Sequence, residues 1–433
     1  MSDPELNVDI PNEAGWPIQS VDNLCSLISR GTAPVYVEHS EVLAIGQRCV
    51  ASTGFSPDFA RPHSHRAMRN VLRPESGDVL LNSTGTGTIG RSVVFNSPGT
   101  FIVDGHVTVI RPRGELADSR WLNSVLRTPS LQRHLDRFCF AGSTNQLELS
   151  RTSLRVSRLP TPHIDDQRAM GLVIDTLDTA IHETEAIIAK LKAVKQGLLH
   201  DLLTRGIDAN GELRPPQAEA PHLYKESPLG WIPKEWDLAP LVSKIEFPKG
   251  QVDPRRMPFR DWVLVAPDYI ESGTGRLLST ATAAEQQAIS GKYVFEAGDV
   301  IYSKIRPYLR KAVLALSSGL CSADMYPLRP KAGINSRYLL AVVLGDQFSR
   351  FSESVSMRSG FPKINRSEMA EFSMGWPCPD EQSRIVQVLS EADAKQITAE
   401  GECEKLRFLK SGLMDDLLTG RVRVTPLLED AAP

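Results

Sequence analysis

The stretch Gly77–Phe95, GDVLLNSTGTGTIGRSVVF, sets four glycines (Gly77, Gly85, Gly87, Gly90) and a run of Ser and Thr between two apolar segments. Backbone freedom beside hydroxyl groups is what a phosphate cradle needs, so nucleotide binding is the first chemistry to consider. The order G-x-x-x-x-G-K-[ST] is missing, however, and so is a [DNS]-P-P-[YFW] loop; the single Pro-Pro, Pro215-Pro216, lies in a proline-rich stretch. Pro379-Asp380 followed by Asp393-Ala394-Lys395 imitates a PD…DxK nuclease signature. Thirteen residues along one helix separate those carboxylates by roughly 20 Å, too far to share a metal ion. His63, His65 and His106 raise the idea of metal ligation, with surface or nucleic-acid contact as the alternative, and we expect no metal site.

Composition narrows the class. The 433 residues are 41% hydrophobic and 23% charged, enough for two or three globular domains. No apolar run reaches the roughly 18 residues of a membrane span, and the acidic start MSDPELNVDIPNE lacks the basic and apolar regions of a signal peptide. A cytoplasmic protein with no membrane partner is expected. Six cysteines, Cys25, Cys49, Cys139, Cys321, Cys378 and Cys403, stand singly, which argues for reduced, mostly buried thiols. The net charge of −3 leaves any acidic partner to be read from local clusters.

The chain is written twice. HIDDQRAMGLVIDTLD (163–178) matches CPDEQSRIVQVLSEAD (378–393), and AKLKAVKQGLLHDLLT (189–204) matches EKLRFLKSGLMDDLLT (404–419), both at a constant offset of 215 positions. Upstream, GDVLLNS meets GDVIYSK, IRP meets LRP, SRWL meets SRYL, and Trp16 meets Trp236. Between the halves runs RGIDANGELRPPQAEAPHLYKESPLGWIPKEW, whose five prolines mark a connector over the surface.

The elements that must position these groups follow from periodicity. Apolar residues step by four and three at Met170, Ile174, Leu177, Ile181, Ile188, Leu191, Leu198 and Leu202, interrupted by Thr184 and Lys195. The second copy runs Ile385, Leu389, Ala392, Ala399, Cys403, Leu406, Leu413 and Leu417, interrupted by Gln396 and Lys410. Each spacing predicts a helix of about 39 residues, roughly 58 Å, with Asp165 and Asp380 as N-caps. A narrow seam that long needs a partner, and the economical one is its own copy in an antiparallel two-helix coiled coil. The other segments read as short strands and turns with helices around 119–138 and 336–352. The fold class is therefore α+β: two similar mixed α/β domains held apart by that coiled coil, with a pseudo-two-fold internal repeat. The expected boundaries are domain one 1–160, helix 163–206, connector 207–235, domain two 236–376, helix 378–421 and tail 422–433.

Positive residues cluster in both copies, while the loops that carry them differ in sequence. The first copy has Arg61, His63, His65, Arg66 and Arg69, and up to Lys190 every basic residue other than histidine is arginine, whose fork clamps phosphates or reads guanine edges. The second has Lys249, Arg255 and Arg256, then Lys304, Arg306, Tyr308, Arg310 and Lys311. Contact candidates on the loops are Asn82, Ser83, Thr84, Thr86, Arg91, Ser143, Asn145 and Gln146 in the first copy and Arg358 and Lys363 in the second. Two similar scaffolds with different surfaces suit the reading of two different DNA half-sites.

The motif P-x-x-[DE]-Q…K-L-x-x-x-K-x-G-L-x-x-D-L-L-T stands at Pro162, Asp166, Gln167, Lys190, Leu191, Lys195, Gly197 and 201–204, and again at Pro377, Glu381, Gln382, Lys405, Leu406, Lys410, Gly412 and 416–419. With GDVLLNSTGTGTIGR, GSTNQ (142–146) and SGFPKIN (359–365), nearly the whole chain resembles the specificity subunit of type I restriction-modification systems. The resemblance implies two target-recognition domains that bind double-stranded DNA at a bipartite target, with an unread spacer. It also implies a non-catalytic scaffold for two adenine-N6 methyltransferase subunits, joined by restriction subunits in the full complex. No cofactor is expected in this chain; S-adenosylmethionine belongs to the methyltransferase partner, and ATP and Mg to the restriction partner. The alternatives are a protein-interaction scaffold without DNA, or a nuclease or fused methyltransferase, which the missing motifs disfavour.

Overall fold

Asp78 and Asp299 each stand one residue ahead of a buried strand, Val79–Asn82 and Val300–Ser303, in a computed structural model that describes residues 6–143, 147–356 and 362–424. Each aspartate takes the fork of an arginine on the neighbouring strand. Arg111 donates to Asp78 at 2.8 and 2.9 Å, and Arg329 donates to Asp299 at 2.9 and 3.0 Å. Both carboxylates are almost fully buried, so this bidentate pairing is what makes their burial tolerable. The recurrence of GDV and of Arg-Pro in the two copies has that cause.

Around each pair lies the same four-stranded antiparallel sheet. In the first repeat the order is Cys25–Arg30, Val107–Pro112, Val79–Asn82, Ser92–Val94, and in the second Ile245–Glu246, Met325–Pro330, Val300–Ser303, Ala312–Leu314. A smaller three-stranded sheet accompanies it in each: Thr100–Val103 parallel to Val42–Ile45 with Arg61–Pro62 at the edge, and Gly319–Cys321 between Leu264–Val265 and Tyr293–Phe295. A helix packs over each large sheet. Asp118 caps Ser119–Leu126 by accepting from the backbone N–H groups of Arg120 and Trp121, and Asn335 caps Ser336–Leu344 in the same way. Trp121 and Leu122, or Tyr338 and Leu339, are thereby turned into the core against Val79 and Ile110, or Val300 and Leu328.

The single helices expected at 119–138 and 336–352 are each broken in two. Pro129 starts a new helix, Pro129–His134, capped by Thr128, because its ring cannot continue the preceding one; in the second repeat Gly345 separates Ser336–Leu344 from Asp346–Ser356.

The two long helices span Ile164–Thr204 and Pro379–Thr419, 41 residues each. They begin one residue before Asp165 and Asp380, so those aspartates lie in the first turn rather than at the cap, where they still favour the positive helix end. Contacts divide the chain into two compact units, residues 1–187 with 399–433 and residues 188–398, so each helix contributes one part to each unit.

Inside the first unit, Met170 and Ile174 share a core with Leu413, Met414, Leu417 and Leu418. Asp178 meets Lys410, and Glu185 meets Arg407 at 2.6 Å; the pairing climbs one helix as it descends the other, which makes the helices antiparallel. Inside the second unit, Leu198, Leu202 and Leu203 pack with Ile385 and Leu389, and Lys195 meets Asp393. Lys195 and Lys410 are equivalent in the repeat, as are Asp178 and Asp393, so each lysine pairs with the aspartate of the other copy. Of the seam positions, Ile174, Leu202, Leu389, Cys403 and Leu417 are buried; Leu177, Ile181, Ile188, Leu191, Leu198, Ala392, Leu406 and Leu413 are half-buried.

A Lys410→Met/Asp178→Asn double-mutant cycle followed by urea denaturation should return a coupling of about 0.5–1 kcal/mol. The cycle at Lys195 and Asp393 should agree with it, whereas a coupling near zero at both would show the lysines to be seam defects.

The helix starts are fixed by one glutamine per repeat. Gln167 Oε1 accepts from the Asp118 N–H at 3.0 Å while its Nε2 donates to the carbonyls of Leu116 and Pro162. Gln382 does the same with the Asn335 N–H and the carbonyls of Gly333 and Pro377. This is the physical content of the Pro-x-x-[DE]-Gln motif. The connector is not a plain surface strap. It holds a hairpin, Tyr224–Ser227 with Gly230–Pro233, and sends Arg214 inward to Glu381 at 2.5 and 3.1 Å, where Trp236 Nε1 also donates to that carboxylate at 3.2 Å.

Candidate nucleic-acid interface

In each unit one strand of the large sheet, Val79–Asn82 or Val300–Ser303, leads into a turn, and the chain returns antiparallel to it as Ser92–Val94 or Ala312–Leu314. In the first unit the turn is the glycine-rich stretch, closed by the Asn82 N–H on the Arg91 carbonyl at 2.9 Å. It joins two strands of a hairpin, not a strand to a helix, so the geometry of a phosphate loop is absent. Gly90 is needed there: its φ is +85°, and a Cβ would press within 2.7 Å of Gln132 Oε1. In the second unit the corresponding turn, closed by the Ser303 N–H on the Lys311 carbonyl, puts arginines in the left-handed region. Arg306 and Arg310 both have φ of +47°. Non-glycine residues bear a steric cost there of roughly 1 kcal/mol, so the side chains are what the turn retains.

Several expected contact residues prove to be supports. Asn82 and Ser83 are fully buried: Asn82 Nδ2 donates to the carbonyls of Gln47 and Val50, and Ser83 Oγ bonds Thr108 Oγ1 at 2.6 Å. Thr84 is nearly buried and bonds His106 Nδ1 at 2.9 Å and Gln47. His63 is buried, its Nδ1 accepting from the Val35 N–H. In the second unit Arg310 grips Asp346 at 2.6 Å and Lys311 donates to the Pro267 carbonyl at 2.7 Å. These six hold the turns and edges, because hydroxyl, amide and cationic groups satisfy a tight bend as readily as they face a ligand. No three His, Cys, Asp or Glu residues converge as metal ligands among the described residues. Burial pushes the thiols of Cys25 and Cys321 up to about 12, leaving them protonated.

The other candidates are at the surface. Arg61, His65, Arg66, Arg69, Thr86, Arg91 and Ser143 are exposed in the first unit. Arg61 lies over the Tyr36 ring at 3.7 Å, and Arg48, which sequence spacing did not single out, lies over Phe59 at 4.4 Å. In the second unit Lys249, Arg255, Arg256, Arg306, Tyr308 and Lys363 are exposed and Lys304 is half-buried. The Arg255 fork is occupied by Asp253, whose pKa it holds down at about 2. Asn145, Gln146 and Arg358 lie outside the described residues.

Some of these residues converge. Ile305 bridges to Lys363, the Arg306 N–H donates to the Pro362 carbonyl at 2.8 Å, and the Ile364 N–H donates to the Lys304 carbonyl at 2.9 Å. Lys304, Arg306 and Lys363 therefore share one edge with Arg366, whose guanidinium lies 4.7 Å from the Phe247 ring and 5.3 Å from that of Tyr326. Lys304 Nζ is also 5.2 Å from the Tyr326 ring. Arg366 was missed by charge clustering, though the capping box Asn365-x-x-Glu368 marks its position in the sequence. In contrast, Arg61 to Arg69 belong to the small sheet and the segment after it, not to the glycine turn.

Residues 266–406 match the family described as "Type I restriction modification DNA specificity domain". Over 284 residues, 61% of each chain, the sequence is 28% identical to the EcoDI type I restriction enzyme specificity subunit of Escherichia coli; the match thus spans less than two thirds of that relative. Over 280 residues it is 19% identical to the MjaVIII specificity subunit of Methanocaldococcus jannaschii, covering 62% of this chain and 63% of that one. The fold is that of the type I restriction-modification system S subunit from M. genitalium (TM-score 0.56, 12% identity, 96% and 98% of the two chains). It also matches a chain from a structural study of complex assembly and conformational transition of the type I R-M system (TM-score 0.54, 16% identity, 96% and 100%). With its duplicated framework, the chain is similar in sequence and in fold to type I restriction-modification specificity subunits.

Proposed function

We propose that this chain is the DNA-reading subunit of a type I restriction-modification complex, recognising a bipartite target with one half read by each unit. One observation carries the reading. The two units keep the same internal contacts, Asp78–Arg111 with Gln167 and Asp299–Arg329 with Gln382, yet differ in the turn residues at their surfaces. Selection for folding alone gives no reason to diversify exposed cations on a preserved frame; recognition of two base sequences does. Phosphate contacts from exposed Arg and Lys would supply salt-dependent affinity, and side chains on the turns would read base edges.

The chain itself is non-catalytic in this reading. It positions two adenine methyltransferase subunits, which bring S-adenosylmethionine, and restriction subunits, which bring ATP and Mg. It acts in the cytoplasm, and no helix among the described residues is long and apolar enough to cross a membrane.

The test is to co-express the chain with its methyltransferase subunit and map methylated adenines by long-read sequencing. A two-part motif is expected, and exchanging residues 1–160 should change one half while exchanging 215–375 changes the other. Methylation by this chain alone, or a motif indifferent to both exchanges, would sink the proposal. An Arg306→Gly variant should keep its stability or rise by up to about 1 kcal/mol, since glycine relieves the left-handed backbone, while its DNA affinity falls. An unchanged affinity would remove that residue from the interface.

A further inference from the structure

One position is held by identical backbone contacts in both units and carries opposite charge. In the first unit Thr84 bridges to Glu148, and the Leu149 N–H donates to the Ser83 carbonyl at 2.8 Å. In the second Ile305 bridges to Lys363, and the Ile364 N–H donates to the Lys304 carbonyl at 2.9 Å. Ser150 and Asn365 then cap short helices at equivalent places, so the register is the same: Glu148 stands where Lys363 stands.

The surroundings of the two differ in a matching way. Glu148 is more than half exposed and is oriented by the Arg30 fork at 3.2 and 3.4 Å; that hydrogen bond, then the charge of Arg30 and then that of His106, lower its pKa, so it stays an ionised acceptor. Lys363 is exposed beside Lys304, Arg306 and Arg366, with no carboxylate at ion-pair distance from Lys304, Lys363 or Arg366 among the described residues. A surface charge that merely aids solubility needs no oriented partner. A carboxylate held at a turn edge by an arginine, and a lysine held at the same edge among cations, present a defined acceptor and a defined donor.

We infer that Glu148 and Lys363 are a paired specificity-determining position. Glu148 accepts from an exocyclic amine in the major groove, cytosine N4 or adenine N6, and Lys363 donates to guanine O6 and N7. The chemistry follows from the base edges, since an acidic side chain can only accept and an ammonium can only donate. The inference rests on the proposed DNA-reading role and adds which base class faces each unit.

The experiment uses the complex of this chain with its methyltransferase subunits and selects bound duplexes from a randomised library. Wild type, Glu148→Ala, Lys363→Met and Lys363→Glu are compared for base preference at each position and for retention of the methyltransferase subunits. For Lys363→Met, one guanine position in one half-site should become degenerate, with about a 5- to 150-fold loss against the other bases there. Glu148→Ala should relax one cytosine or adenine position in the other half-site. Lys363→Glu should move its position from guanine to cytosine or adenine. A uniform loss of affinity with every preference intact would assign these residues to phosphate contact and overturn the inference. So would complete loss of binding, unchanged binding, or relaxation in the wrong half. If the wild-type complex selects no bipartite motif, the DNA-reading role itself has failed, a result distinct from all of these.

Discussion

Replacing Glu381 with leucine should cost the second unit about 3–5 kcal/mol of stability, read as a drop in the urea midpoint by tryptophan fluorescence. Glu381 is almost fully buried at the start of the second long helix, and it accepts from Arg214, from Trp236 Nε1 and from the Ile207 N–H at 3.0 Å. Burial works against the charge on Arg214, but the hydrogen bonds and charge of Glu381, then of Glu235, outweigh it and hold the guanidinium protonated. Removing the carboxylate leaves a buried cation and an indole N–H without their acceptor. A Glu381→Leu/Arg214→Met double variant should regain part of the loss, because a buried ion pair replaced as a unit leaves no orphaned charge. At the equivalent position of the first repeat, half-buried Asp166 should tolerate leucine at below about 1 kcal/mol. If Glu381→Leu unfolds within 1 kcal/mol of wild type, the ion pair is not what fastens connector to helix.

The second large effect falls on the two glutamines. Gln167→Leu and Gln382→Leu should each destabilise by about 3 kcal/mol, since each leaves one buried N–H and two carbonyls without their partner. The two values should agree to within about 1 kcal/mol, as the same three contacts are lost. Hydrogen exchange at the first turns of the long helices gives an independent reading, and unchanged protection there would contradict the role.

What the sequence revealed and what it hid follow from range. The repeat and the long helices were legible because identity at a fixed offset and a three-four apolar step are local signals that survive without coordinates. The lysines in the seams read as interruptions, because their partners lie on the other repeat copy; Lys410 and Asp178 are 232 positions apart. Arg214 looked like part of a surface strap because its partner Glu381 is 167 positions away. At the turns the difficulty was chemical. Asn82, Ser83 and Thr84 have the side chains a ligand would want, but the same groups satisfy the backbone of a tight bend, and only burial separates the two uses. Residue type could mark Lys363 as a loop candidate, yet not put it in register with Glu148, since that register rests on long-range backbone contacts in each unit.

The reciprocal Lys–Asp pairs reach beyond mechanics into heredity. Each repeat supplies the lysine that its copy's aspartate requires, so the helix-coding segments are interchangeable in this respect, and they stand 215 codons apart in one gene. A crossover within the same segment of two variants of the gene would join their loop sets in frame without disturbing the contact. Variation can therefore accumulate at the turns and be shuffled by recombination, while the framework that must fold is inherited unchanged.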